Sequence, residues 1–501
     1  MKRAGLNSPQ NNRHCMVRAR IWLARGVVAG ILGVSLCGCA LHKPPPHATI
    51  VGQALPKATP LPPKWTSAPD IGKVTDDWAK SFNDHGLEGV VSEAIANNLD
   101  LRQAAARVES ARQSVAVIGS QLKPQLGAAI GGSTLRATNT NTSSSDQFQS
   151  STAFAAVSWE VDVWGRLRAQ RAAAQESYEG IAFDYGFARQ SLAATTAKSW
   201  YLAVETRELL ALAEQAVNIY KKLFELVKVR RAAGKVADLD VAEAGYQLAE
   251  AQNQLTVTQG LYSEARRTLE VLLGRYPAAE LEVAQAFAAL PPPVGPGLPS
   301  SLLERRPDIV AAEHQVLAAF RTEEAAKLAL LPSFSLNLEG GRLSDKLLSV
   351  LQLNPWLIHG SVGMFVPIYQ GGALRAKIKI ATAQQEQSIA YFGGVALTAF
   401  DEVETALTNE QLLAQRLPYT EHAVSDHTEA VRVANLRYTA GTIDFLSVLQ
   451  LQGGQIQSQA DLIKLRNTQL ANRINLHLAL GGSFDSSPVT TFPPVTGIKK
   501  P

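Results

Sequence analysis

Two carboxylates two residues apart, Glu160 and Asp162 in the stretch AFAAVSWEVDVWGRL, are the groups in this 501-residue chain whose type and spacing most invite chemistry. Paired carboxylates flanking one bond can act as acid and base in glycoside hydrolysis. Alternate residues of an extended strand share a face, however, and this strand runs straight into a long helical stretch. Lining a water-filled space therefore fits the pair better than catalysis. His314, His422, His427 and His477 fall on helical stretches without ligand spacing, so no metal site is expected. No G-x-x-x-x-G-K-[ST], H-E-x-x-H or G-x-S-x-G occurs anywhere. The only thiols are Cys15, Cys37 and Cys39. The chain reads as a non-enzyme.

The thiols lie in a leader. Lys2, Arg3, Arg13, Arg18, Arg20 and Arg25 all precede Cys39, no Asp or Glu does, and they lead into GVVAGILGVSLCGCA. That apolar run is too short for a spanning helix, which needs about 20 residues, and residues 1–38 read as an export signal. Met16 is an alternative start, since residues 16–25 already form a charged leader. Leu36-Cys37-Gly38-Cys39 resembles the lipobox of bacterial lipoproteins, with Cys37 where Ala, Ser or Thr is commoner but with small size kept. The resemblance implies cleavage before Cys39, whose thiol then carries diacylglycerol and whose amine carries an acyl chain. Cys39 would be the sole remaining thiol, which excludes disulfides. Ala40, in place of Asp, resembles the pattern that sorts lipoproteins to the outer membrane. Subtracting the six leader charges from the formal +4 leaves the mature chain near −2. Nucleic acid is a poor partner for such a chain, because binding it needs clustered Lys and Arg.

Beyond the leader, residues 39–71 are proline-rich and are expected to form an extended tether, since proline fixes φ and lacks a donor. A second proline run, PPPVGPGLP at 291–299, divides the rest into similar halves, 72–290 and 300–482, followed by a tail at 483–501. VRRAAGKVADLDV lies over LRYTAGTIDFLSV at an offset of 207, and the same offset places Leu167 and Arg168 on Leu374 and Arg375. This is a duplication. Each half reads as a helix ending at a proline, two strands (about 125–163 and 333–368), a very long helix (about 166–232 and 373–440), a glycine turn and a further helix (about 237–273 and 444–480). At 1.5 Å per residue each long helix spans about 100 Å. Gly180, Gly186, Gly393 and Gly394 lie within these helices and suit either close packing or a tolerated cost.

The strands are two-faced. Ala155, Val157, Trp159, Val161 and Val163 oppose Ala156, Ser158, Glu160 and Asp162; Phe334, Leu336 and Leu338 oppose Ser335, Asn337 and Glu339; Ile358, Val362, Met364, Val366 and Ile368 share a face. The segments TLRATNTNTSSSDQFQS and RLSDKLLSVLQLNPW between them read as exposed loops. A tilted strand crosses a bilayer in about 9–11 residues, with apolar side chains outward. Four strands are too few to close a barrel, and open edges in lipid leave amides unpaired. A membrane reading therefore makes several chains share one barrel.

WEVDVWGRLRAQRAAA, LLERRPDIVAAEHQVLAA, PIYQGGALRA and the two tips RAAGKVADLDVAEA and RYTAGTIDFLSVLQLQ resemble the TolC family of outer-membrane efflux proteins, in the lipidated branch serving resistance-nodulation-division pumps. The resemblance covers essentially the whole mature chain. It implies a mainly α fold with a β-barrel portion: long-helix hairpins forming a periplasmic tunnel, and a homotrimer whose four strands per chain make a twelve-stranded outer-membrane barrel. It implies a passive exit duct for small molecules, coupled through a periplasmic adaptor to an inner-membrane pump. Arg230 with Gly234 and Arg437 with Gly441 would meet the adaptor, although a glycine C-cap alone explains the glycines. Asp240 and Asp444 would ring the periplasmic gate, although Asp is also a good helix N-cap. Glu160, Asp162 and Glu339 would face barrel water. The competing reading, a periplasmic adaptor lipoprotein, expects one helical hairpin rather than two.

Overall fold

The computed structural model describes residues 41–55, 61–67, 72–139, 144–344 and 357–485. Cys39, the leader, residues 140–143, residues 345–356 and the tail from 486 lie outside the described residues. The helices are α1 His47–Ala54, α2 Trp78–Ser81, α3 His85–Asn97, α4 Leu99–Ser120, α5 Arg166–Ala232, α6 Asp238–Leu272, α7 Pro299–Arg305, α8 Pro307–Leu328, α9 Ala373–Thr439 and α10 Phe445–Ala479. The strands are β1 Gln125–Asn139, β2 Ser144–Val161, β3 Ser333–Ser344 and β4 Leu357–Phe365. Helices α5 and α9 have 67 residues each. Ala, Gln, Glu, Leu and Arg sustain them, and α9 runs on through Pro418, which removes one ladder donor from its interior. No helix among the described residues is long and apolar enough to cross a membrane.

The chain forms two units. One contains the sheet, residues 111–177, 315–388 and the segment up to Pro46. Its strands pair antiparallel in the order β1-β2-β3-β4, leaving β1 and β4 as open edges. The first hairpin departs from the sequence reading: its ladder continues to Asn139↔Ser144, so most of TLRATNTNTSSSDQFQS is strand rather than loop. Backbone pairing needs no apolar side chain, and Thr, being β-branched, suits a strand. The last strand is shorter than expected. It ends at Phe365, ahead of Pro367, which has no N–H to give a ladder.

The other unit contains residues 47–110, 178–314 and the chain from Ile389. Trp78, Phe82, Leu87, Tyr201, Leu269 and Ile474 build its main core and are almost fully buried. A second cluster at the helical tips gathers Tyr220, Val227, Tyr438, Phe445, Val448 and Leu449. The expected extended tether is corrected here. Residues 47–54 are helical, and Ile50 at their centre is fully buried. Prolines flank HATIVGQA but do not interrupt it, and a helix tolerates proline just before its start. Trp65 follows as an anchor, its ring tilted against that of Phe400 with centroids 6.1 Å apart and its Nε1 donating to the Pro296 carbonyl at 3.0 Å. The Glu404 carboxylate accepts the backbone N–H groups of Thr66 and Ser67 at 2.7 and 2.9 Å. Gly393 of α9 allows the close approach: a Cβ there would lie 2.5 Å from the Ala54 carbonyl oxygen. Gly394 beside it faces open space.

Candidate functional site

Register decides what each face of the sheet presents. Leu126 pairs with Val157, Val157 with Leu338; Trp159 pairs with Leu336, Leu336 with Val362; Val161 pairs with Phe334, Phe334 with Met364. Directly opposed residues project to the same side, so the apolar sets of all four strands fall on one face. On the other, Ser158 lies between Gln125 and Asn337, Asn337 meets Ser361, and Glu339 lies between Ala156 and His359. Phe154 breaks the pattern on the polar face, opposite Gly341, where a Cβ would come within 2.6 Å of the Phe154 Cα. The apolar face is left bare: Leu126, Ile130, Ile358, Val362 and Met364 are each about two-thirds or more exposed. That is the arrangement a strand needs if hydrocarbon is its solvent.

The two opening carboxylates part ways. Glu160, still within β2, accepts from Arg166 Nη2 at 2.7 Å and stays on the polar face. Asp162 lies beyond the end of β2 and is corrected as a barrel-lining residue. Its oxygens accept the N–H groups of Leu167 and Arg168, each at 3.0 Å, and Arg168 Nε at 3.2 Å. It thereby caps the first turn of α5, whose N–H groups have no partner within the helix. Glu339 is exposed on the polar face. Two indoles brace the helix-to-strand corners: Trp159 Nε1 donates to the Leu122 carbonyl at 3.1 Å and Trp164 Nε1 to that of Pro332 at 2.8 Å.

At the tips, the Arg-x-x-x-Gly spacing is a capping spacing. Gly234 and Gly441 take φ of 69° and 75°. The N–H of Lys235 bonds to the Arg230 carbonyl and that of Thr442 to the Arg437 carbonyl, each at 2.9 Å, closing the last turns of α5 and α9 in the Schellman manner. The arginine backbones are thus part of the cap. Their side chains differ: Arg230 lies over the Tyr438 ring, 4.2 Å from its centroid, and donates from Nη1 to the Tyr438 carbonyl at 3.1 Å. The Arg437 side chain is exposed and makes no hydrogen bond or ion pair among the described residues. Asp444 is the N-cap of α10, accepting from the Ser447 N–H at 2.7 Å, a bond that holds its carboxyl below the usual carboxylate range. Asp240 reaches back to the Ala237 N–H at 3.2 Å. The two aspartates are therefore not equivalent, because the duplication aligns Asp444 with Ala237 and Asp240 with Ser447.

The family model for outer membrane efflux proteins matches residues 90–275 and 298–482. The chain belongs to the outer membrane efflux protein family. It is 30% identical over 92% of its length to the pyoverdine export outer membrane protein OpmQ of Pseudomonas putida, covering 97% of that protein. It is 29% identical, over 92% of this chain and 95% of the relative, to the toluene efflux pump outer membrane protein TtgC of Pseudomonas putida. A solved structure of CusC, described as forming a transmembrane channel, superposes with a TM-score of 0.74 at 25% identity over 86% of this chain and 99% of that one. The protein is thus an outer-membrane efflux channel component that extends into the periplasm, and not an enzyme. The adaptor alternative falls, since the matched region is the whole duplicated channel.

Several residues that build this channel were missed in the sequence. Arg231 pairs with Asp238 across the first tip, lowering the Asp238 pKa through their hydrogen bond. At the same offset of 207 the second tip has Tyr438 packed on Phe445, with ring centroids 5.6 Å apart. An ion pair in one repeat is an aromatic pair in the other. The alignment held both pairs, yet only the closed turn shows that residues seven apart meet. His314, expected in a solvated or core role, stacks on Phe183 at 5.4 Å and lies 3.6 Å from Glu179.

Proposed function

We propose that this chain is the exit duct of a tripartite efflux system, working as a homotrimer whose three sheets close into a twelve-stranded barrel. The two open edges of a sheet that bares one apolar face carry this reading: in lipid, the amides along β1 and β4 need partners, and a further copy of the same sheet supplies them. Glu160 and Glu339 line the barrel's water. The acylated Cys39 anchors the chain to the outer membrane. An inner-membrane resistance-nodulation-division pump supplies the energy through a periplasmic adaptor, which docks on the turns at Gly234 and Gly441. There Arg437 offers an unoccupied guanidinium, the group best suited to bidentate hydrogen bonding. Asp240 and Asp444, repeated by threefold symmetry, place negative charge around the periplasmic opening. The relatives' names include pyoverdine and toluene, which supports a duct that passes small molecules of diverse chemistry and leaves selection to the pump.

Edge-to-edge closure is testable by crosslinking, because Cys39 is the only cysteine expected after processing. Ser361→Cys on β4, combined in turn with Gly127→Cys, Ala129→Cys or Gly131→Cys on β1, is expected to give covalent oligomers up to trimer in outer membranes. Monomers alone, from a protein that still reaches the membrane, would contradict the shared barrel. Drug export by a strain carrying Arg437→Ala with Gly441→Val is expected to fail while the trimer persists.

A further inference from the structure

The corner between β4 and α9 differs from its counterpart in the first repeat in a way that channel formation does not require. At the offset of 207, Gly372 coincides with Gly165, and both turn with positive φ, 83° and 89°. The same backbone turn therefore carries two sets of side chains. In the first corner the charges are neutralised internally, Arg166 by Glu160 at 2.7 Å and Arg168 by Asp162 at 3.2 Å. In the second, Pro367 stands in the place of Glu160 and Tyr369 in that of Asp162, so Arg375, the counterpart of Arg168, has lost its carboxylate. Lys377 and Lys379 are added where the first repeat has Gln170 and Ala172.

Arg375, Lys377 and Lys379 are all exposed and form no ion pair among the described residues. No Asp or Glu occurs between Leu357 and Gln385. Beside these cations, Ile368, Tyr369 and Ile380 are 93%, 87% and 56% exposed. Uncompensated positive charge interleaved with bare apolar and aromatic side chains suits a membrane surface, where stems and rings sit among acyl chains and cationic heads meet phosphate. The patch begins where β4 ends, after the exposed Ile358, Val362 and Met364, and runs into the first turns of α9, which on the duct reading is the end where the helices leave the bilayer.

We propose that the β4–α9 corner, residues 366–380, is a docking surface for anionic phospholipid of the periplasmic leaflet. The inference rests on the duct reading, which puts the sheet in the bilayer. Its test is reconstitution of the full-length trimer into nanodiscs of equimolar phosphatidylglycerol and phosphatidylcholine, followed by mass spectrometry of the lipid that stays bound. Wild-type protein is expected to retain phosphatidylglycerol preferentially, with about fivefold less enrichment for each cation removed. The variant Arg375→Gln/Lys377→Gln/Lys379→Gln is expected to retain both lipids alike, and Lys221→Gln/Lys222→Gln on the distant part of α5 to behave as wild type. About 1 M salt should erase the wild-type preference, a readout independent of any variant's folding. No wild-type preference, a preference indifferent to salt, or an unchanged preference in the triple variant would overturn the proposal. So would dissociation of the triple variant into monomers with its lipid preference intact, which would assign the patch to a neighbouring copy. Failure of the wild type to insert in any lipid would instead count against the duct reading.

Discussion

Replacing Arg230 by alanine removes a polar tie between the two helical tips, made to Tyr438 alongside their shared apolar cluster. Two contributions are lost: a cation–π contact with the guanidinium 4.2 Å from the ring centroid, and a hydrogen bond of 3.1 Å to the Tyr438 carbonyl. A half-exposed cation–π contact contributes about 0.5–1 kcal/mol. A charged hydrogen bond contributes about 1.5–3 kcal/mol, but the low end applies, because the Tyr438 carbonyl keeps its second partner, the Gly441 N–H at 3.0 Å. Solvent screening reduces the sum to about 1–2 kcal/mol, a factor of roughly 5 to 30 in the equilibrium between joined and parted tips. Single-channel recording of the purified trimer in planar bilayers should show the open fraction of Arg230→Ala raised by about that factor. Arg230→Lys should fall between, since an ammonium can sit over the ring but cannot reproduce the planar fork. Arg437→Ala should leave the open fraction unchanged, its side chain having no partner among the described residues. An equal rise for Arg437→Ala, or none for a folded Arg230→Ala, would show that this contact does not hold the tips together.

Asp444→Asn separates the capping role from the gate role: Asn caps as well as Asp, so thermal stability should hold, while a charge ring at the opening predicts lower cation selectivity in reversal-potential measurements. Asp162→Ala should cost about 1–2 kcal/mol through the lost cap of α5, read as an earlier midpoint for heat dissociation of the trimer, with no effect on selectivity. His477 is stacked on Trp78 and buried, and burial, reinforced by Arg473, lowers its pKa to about 4. An unfolded histidine titrates near 6.5 and so binds more protons than the folded one between roughly pH 6.5 and 4. Stability should therefore fall as pH drops through that window, by up to roughly 3 kcal/mol. His477→Phe, which keeps a ring against Trp78, should flatten that dependence; the same acid sensitivity in both proteins would discount the histidine.

The legible parts of the fold were those written in local periodicity. Alternation over residues 153–163 and 333–339 marks strands whatever they pack on, and the long runs of Ala, Gln, Glu, Leu and Arg mark helices. Strand ends were less legible. The ladder beyond Leu135 is held by backbone bonds that carry no side-chain signature, and Pro367 limits β4 through a missing donor rather than a change in polarity. HATIVGQA was read as tether because prolines surround it, although within it none interrupts a helix. At the tips, glycine announced a left-handed turn, but the arginine four residues earlier looked like a side-chain motif when its carbonyl is part of the cap.

By itself, then, the sequence determined the duplication, the two-faced strands and the lengths of the helices, because each depends on residues near one another or on a constant offset. Only the tertiary structure decided which charges are occupied. Asp162 became a cap and Arg230 a clasp, while the side chains of Arg437, Arg375, Lys377 and Lys379 have no ion-pair partner among the described residues. Pairing depends on which atoms the folded backbone brings within about 3 Å, and two arginines at equivalent positions of a repeat look alike until that distance is known.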